Sequence, residues 1–137
     1  MVLIVAGTLC GIVSGIIALI LQFKLPLWER IAGFAGFSAE YRANVELQPL
    51  RRRLSVIFYA VALGFLAGTI AVAIKSVSPK VVMPLFAALV LVAFDAMTLA
   101  WRRFDRNERE KARVRGDRLI FSLTHIAFAV LIVSLAL

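Results

Sequence analysis

One cysteine, one histidine and eight acidic residues are all that this 137-residue chain holds of the side chains from which most chemical sites are built. A lone Cys10 excludes an intramolecular disulfide and a thiolate metal cluster, and its default reading is a buried inert thiol. A lone His125 excludes bis-imidazole haem ligation. No glycine-rich phosphate loop, metal-ligand spacing, nucleophile–base pair or paired acids is present, so we expect no enzyme and no cofactor. Long polar stretches are also scarce, which leaves no room for a separate soluble domain.

What the chain has in abundance is apolar sequence. Hydrophobic residues make up 62% of it and mean hydropathy is +0.93, against ~45–50% apolar content in soluble domains. The residues fall into four uninterrupted runs, about 2–23, 54–74, 81–100 and 119–137, in which only Asp95 carries a formal charge. A hydrocarbon core of ~30 Å takes ~20 residues of helix to cross. The predicted fold is therefore an all-α membrane protein, a single unit of four transmembrane helices over 1–137. The first run lacks a basic leading segment and a cleavage site, so it reads as a retained span rather than a signal peptide.

The net charge of +8 would point to nucleic acid in a soluble protein. Here the charge sits in the loops and sets orientation instead. Loop 24–53 holds Lys24, Arg30, Arg42, Arg51, Arg52 and Arg53, the turn 75–80 holds Lys75 and Lys80, and loop 101–118 holds eight cations against four acids. Short loops rich in Lys and Arg stay in the cytoplasm. The first and third loops are thus predicted to be cytoplasmic, and the second loop and both termini exterior, in a cell (inner or plasma) membrane. The expected partners are anionic headgroups of the lipid bilayer, together with either a second copy or a partner membrane subunit. No motif supports a nucleic-acid role.

Small residues at intervals of four lie on one helix face and let backbones approach closely. Gly7, Gly11 and Gly15 do so in the first run, and Ala60, Gly64 and Gly68 in the second. The simplest reading packs these two stripes against each other; a homodimer seam or a seat for a partner helix is the alternative. Trp28 and Trp101 stand where indoles anchor at headgroups, beside the membrane-surface cations Arg51, Arg52, Arg53, Arg102 and Arg103. Pro84 reads as part of the first turn of the third span.

Loop 24–53 mixes apolar bulk (Leu25, Leu27, Trp28, Ile31, Phe34, Phe37) with charge. That predicts an interfacial amphipathic segment with its aromatics turned into the acyl chains. Ser38 is placed to cap a short helix reaching Leu47, and Pro49 to break the chain before Arg51. The string Ile31-Ala32-Gly33-Phe34, then Ser38-x-Glu40-x-Arg42, Glu46, Leu50 and Arg53, resembles a family of small bacterial membrane proteins, domain-of-unknown-function family 3784. Its members carry an I-A-G-Y-N-T loop, S-x-E-E-K-x-K-Y-D, and a basic start to the next span. The resemblance covers about residues 1–105 and implies a membrane protein without an established activity. Phe34-Ala35-Gly36 replaces the Tyr-Asn-Thr triplet, Tyr41 replaces the second Glu, and the fourth span is additional.

The polar groups inside the runs are few. An Asp at mid-bilayer costs ~2.5–3.5 kcal/mol on insertion scales, so it faces the bundle and finds a partner. Asp95 lies seven residues before Arg102 and His125 seven after Arg118, which puts both ~10 Å below one surface at 1.5 Å per residue. Tyr59 falls in a similar layer, and Thr98 and Thr124 flank the two groups. Two readings follow. One is a structural hydrogen bond fastening the third span to the fourth, in a non-enzymatic accessory, regulatory or partner-binding unit. The other is a proton-handling set, Asp95, His125, Tyr59, Thr98 and Thr124, in a small dimeric transporter or channel.

Overall fold

A computed structural model describes residues 1–106, 122–131 and 133–134. Its helices are α1 (Val2–Phe23), α2 (Trp28–Ile31), α3 (Ala39–Ala43), α4 (Leu47–Ala73), α5 (Pro79–Phe104) and α6 (Ser122–Leu131), and the described residues form no strand. Three of them, α1, α4 and α5, are long and apolar enough to cross a membrane. The fourth expected span coincides in part with α6; its residues 119–121, 132 and 135–137, and loop residues 107–118, lie outside those described.

The boundaries shift for local reasons. α4 starts at Leu47 rather than near 54, because Pro49 falls in its first turn, where a missing N–H has no intrahelical carbonyl to lose. The chain is not broken there. α3 stops at Ala43 instead of reaching Leu47; Ser38 does cap it, accepting from the Tyr41 N–H at 3.2 Å. α5 starts at Pro79, capped by the Ser78 hydroxyl, so Pro84 lies inside the helix rather than in its first turn.

α4 is the central helix, with α1 on one side and α5 on the other. The α1 stripe does face α4: a Cβ on Gly7 would lie 2.2 Å from Thr69 Oγ1, and one on Gly11 2.8 Å from Leu66 Cγ. The stripe of α4 does not face α1. Gly64 abuts Leu89, and Gly68 abuts Phe86 and Val82, all on α5, while Ala60 is exposed. One helix flanked by two neighbours needs two close-approach faces. Ala62, Leu66 and Thr69 meet α1, and the glycines admit α5. Ser55 adds a polar tie, its hydroxyl donating to the Ala18 carbonyl at 2.9 Å.

Large apolar side chains cover the outside of the long helices as well as filling their contacts. Gly7, Gly11, Ala18, Ala62, Ala93 and Ala100 are buried, whereas Leu9, Ile16, Leu63, Ile70, Val92 and Leu99 are exposed. Cys10 also lies on the outward side of α1, against the expectation of a buried thiol.

Loop 24–53 departs most from expectation. Its aromatics pack on protein, not outward: Phe34 is 1% exposed, its ring 4.8 Å from Trp101 and 6.2 Å from Trp28. Phe37 stacks on Tyr41 at 4.5 Å. The two tryptophans therefore spend ring surface on this cluster rather than standing free as headgroup anchors. Arg42 clamps the loop, donating to Glu29 Oε2 at 3.0 Å and to the Phe34 carbonyl at 2.9 Å. The loop is then tied to the end of α5. Glu46 N–H donates to the Phe104 carbonyl and Arg106 N–H to the Asn44 carbonyl, both at 2.9 Å, and Tyr41 donates to Asp105. The result is a small cap over one end of the bundle.

Packing of this closeness is expected to discriminate between glycines. Gly7→Ala should lower unfolding free energy by about 1–3 kcal/mol, as overpacking does. Gly15→Ala, whose Cβ meets nothing nearer than 3.9 Å, should be neutral or slightly stabilising; denaturant unfolding in detergent micelles reads the difference. Phe34→Ala, emptying a fully buried ring site, should cost about 3–5 kcal/mol in the same assay.

Candidate functional site

Asp95 sits on the C-terminal half of α5, on the side turned away from α4. Ala93 and Ala100 of α5 are buried, and Ala93 packs with Val61 and Phe65 of α4. Asp95 is two residues on from Ala93, about 200° around the helix at 3.6 residues per turn. On that side Val92 and Leu99 are exposed, and His125 of α6 meets the carboxylate there. His125 Nε2 lies 2.8 Å from Asp95 Oδ2, with the side chains 32% and 27% exposed respectively. A hydrogen bond joins the two groups, its direction set by the ring tautomer. The second oxygen, Oδ1, is buried and has no hydrogen-bond partner among the described residues.

The rest of the predicted set does not converge on the pair. Tyr59 donates its hydroxyl to Gln22 of α1. Depth alone put Tyr59 in this layer; its azimuth on α4 turns it toward α1, across the bundle from Asp95. Thr98, one turn beyond Asp95, donates to the Phe94 carbonyl at 2.9 Å, so its proton is committed to its own helix. Thr124 is half-buried next to His125. What the structure assembles is thus a two-residue contact between α5 and α6, flanked by threonines.

A second polar assembly, at the capped end, escaped the sequence reading. Arg51 is not spent on the membrane surface. Its guanidinium donates to the Gln22 carbonyl at 2.6 Å and also to that of Leu21. α1 has no basic residue in its last turn and ends on Lys24 in a left-handed conformation, so the cation that matches its C-terminal carbonyls comes from the neighbouring antiparallel helix. Arg106 pairs with Glu46, the N-cap of α4. Arg102 is half-buried, with Nε and Nη2 lacking partners among the described residues. Arg52, Arg53 and Arg103 remain exposed. A cation at the start of a helix antiparallel to a preceding span was the available signal for Arg51.

No protein-family model, curated protein or solved structure matches the chain. The chemistry of the pair therefore rests on its geometry. An acid against an imidazole can hold two helices together or pass a proton, and the two roles differ in what a double-mutant cycle reads. With Asp95→Ala, His125→Ala and the double variant, detergent unfolding should give a coupling energy of ~0.6 kcal/mol, the membrane average, and not above ~1.7. A value near zero would mean that the contact does not fasten α6.

Proposed function

We propose that the chain is a small multi-pass protein of the cell membrane, with loops 24–53 and 101–118 in the cytoplasm, acting as a non-enzymatic accessory or partner-binding subunit. The observation that carries this reading is the apolar outer faces of α1, α4 and α5, each helix long enough to cross a membrane. Large apolar side chains cover those faces, while glycines and alanines admit close approach among buried Leu50, Leu54, Val61, Phe65 and Val82. In water such a surface would aggregate; in lipid it is solvated, and close packing holds the helices instead. The polar groups within the helices serve the same end. Ser55, Thr8 and Thr98 bond helix carbonyls, Tyr59 bonds Gln22, and Asp95 meets His125.

The excess of cations at the capped end supports the orientation. In a Cys10→Ala background, a membrane-impermeant maleimide should label Ser76→Cys in intact cells, and Glu40→Cys only after permeabilisation. The reverse pattern would invert the topology.

The buried Oδ1 of Asp95, without a hydrogen-bond partner among the described residues, favours a second reading, a proton-coupled transporter or channel built on Asp95 and His125. Proteoliposome measurements separate the two. As an accessory subunit, the protein should leave an imposed pH gradient decaying at the rate of empty vesicles. A faster decay that Asp95→Asn abolishes would establish transport.

A further inference from the structure

At the capped end, the N-terminal turns of α4 and the C-terminal turn of α5 enclose an open cleft of about 440 Å³. Gln48, Pro49, Arg52, Arg53 and Val56 line it from α4, and Arg103 and Phe104 from α5. Three arginines from two helices thus line one volume. None of them has an acidic partner among the described residues, and Glu46, the nearby acid at the N-cap of α4, is already engaged by Arg106. Cations left unpaired around one cleft repel one another, and an anion removes that penalty.

The shape narrows the anion. Guanidinium forks match phosphate oxygens bidentately and hold them more specifically than a point charge does. The first turn of α4 brings the positive end of its dipole to one wall and the last turn of α5 the negative end to the other, so the arginines carry the preference for an anion. Val56 and Phe104 make the remaining wall apolar, and the Arg103 guanidinium lies 5.9 Å over the Phe104 ring. The volume is within the range that takes a small ligand. Charge at one end of the cleft and apolar surface beside it suit a phosphodiester with carbon attached.

On the membrane reading given above, we propose that this cleft is a specific site for a phosphate-bearing group, supplied by the headgroup of an anionic phospholipid lying against α4 and α5. Arg52, Arg53 and Arg103 hold the phosphate oxygens, Gln48 supplies a further donor, and Val56, one turn deeper along α4 than Arg52, meets the glycerol and upper acyl carbons. The site differs from diffuse attraction to a charged surface in that it requires cations from both helices.

The test is a titration of the full chain in an uncharged detergent, following thermal unfolding. The additives are phosphatidylglycerol, phosphatidylcholine, and inorganic phosphate as the soluble probe. Phosphatidylglycerol should stabilise saturably, phosphatidylcholine should not, and phosphate should act only at concentrations at least a hundredfold higher. Arg52→Gln/Arg103→Gln, one cation from each wall, should weaken the phosphatidylglycerol midpoint tenfold or more. Lys24→Gln/Arg30→Gln, the same charge change outside the cleft, should shift it less than twofold. Equal loss in both variants would overturn the site in favour of diffuse attraction. Saturation by phosphate at the lipid's own concentration would overturn the lipid as source and leave a soluble phosphate ester. With the cleft unaltered, absence of saturable phosphatidylglycerol stabilisation alongside the maleimide pattern expected above would reject the cleft alone. Identical labelling of the two cysteine sites in intact cells would reject the membrane reading with it.

Discussion

Everything in this bundle depends on α4 meeting two neighbours at close range on two different faces. Between apolar helices in lipid, burial gains nothing, because a leucine facing a tail is as well solvated as one facing another helix. Attraction has to come from contact, and contact needs missing side chains. On the α1 side the gap is supplied by α1 itself, through Gly7 and Gly11; on the α5 side it is supplied by α4, through Gly64 and Gly68. Phe86 joins the two seams, since its ring fills the space beside both Gly68 and Gly7. A change at that ring would be felt by all three long helices.

The ends of the helices set a different problem, because backbone groups there lose intrahelical partners. At the capped end those groups are satisfied across elements. Arg51 of α4 covers the last carbonyls of α1, and the Glu46 N–H takes the Phe104 carbonyl of α5. The C-terminal ends of α1 and α5 are thus both closed by groups at the start of α4. The aromatic cluster of Phe34, Phe37, Trp28 and Trp101 then seals this junction with apolar bulk. Polar ties and apolar cover reinforce one another, since bonds shielded from water are stronger than exposed ones.

Much of this was legible in the chain, and the parts that were not share a cause. Span positions follow from length and hydropathy, which need no knowledge of neighbours. Intervals of four identify the close-packing faces, yet they do not say which helix each face meets, so Gly64 and Gly68 were matched to the wrong one. The amphipathic loop had the same ambiguity: an aromatic face looks alike whether it is destined for acyl chains or for Trp101. Counting residues gave the depth of Tyr59 but not its azimuth, and azimuth decided that it meets Gln22. Asp95 and His125 were matched by depth as well, and they do meet. Pro49 misled because a proline marks a helix break or a helix first turn with equal ease.

The cap also has a consequence for electrostatics. Its ties run between the residues just before α4 and those just after α5: Val45 bridges to Asp105, Arg106 N–H to the Asn44 carbonyl, and Tyr41 to Asp105. These bonds fix the N-terminal turn of α4 against the C-terminal turn of α5. They therefore hold Arg52 and Arg53 beside Arg103, an arrangement that mutual repulsion would otherwise open. On the site proposed above, an anion bound between the two helices favours the same arrangement as the cap, so by linkage whatever binds there also stabilises the loop.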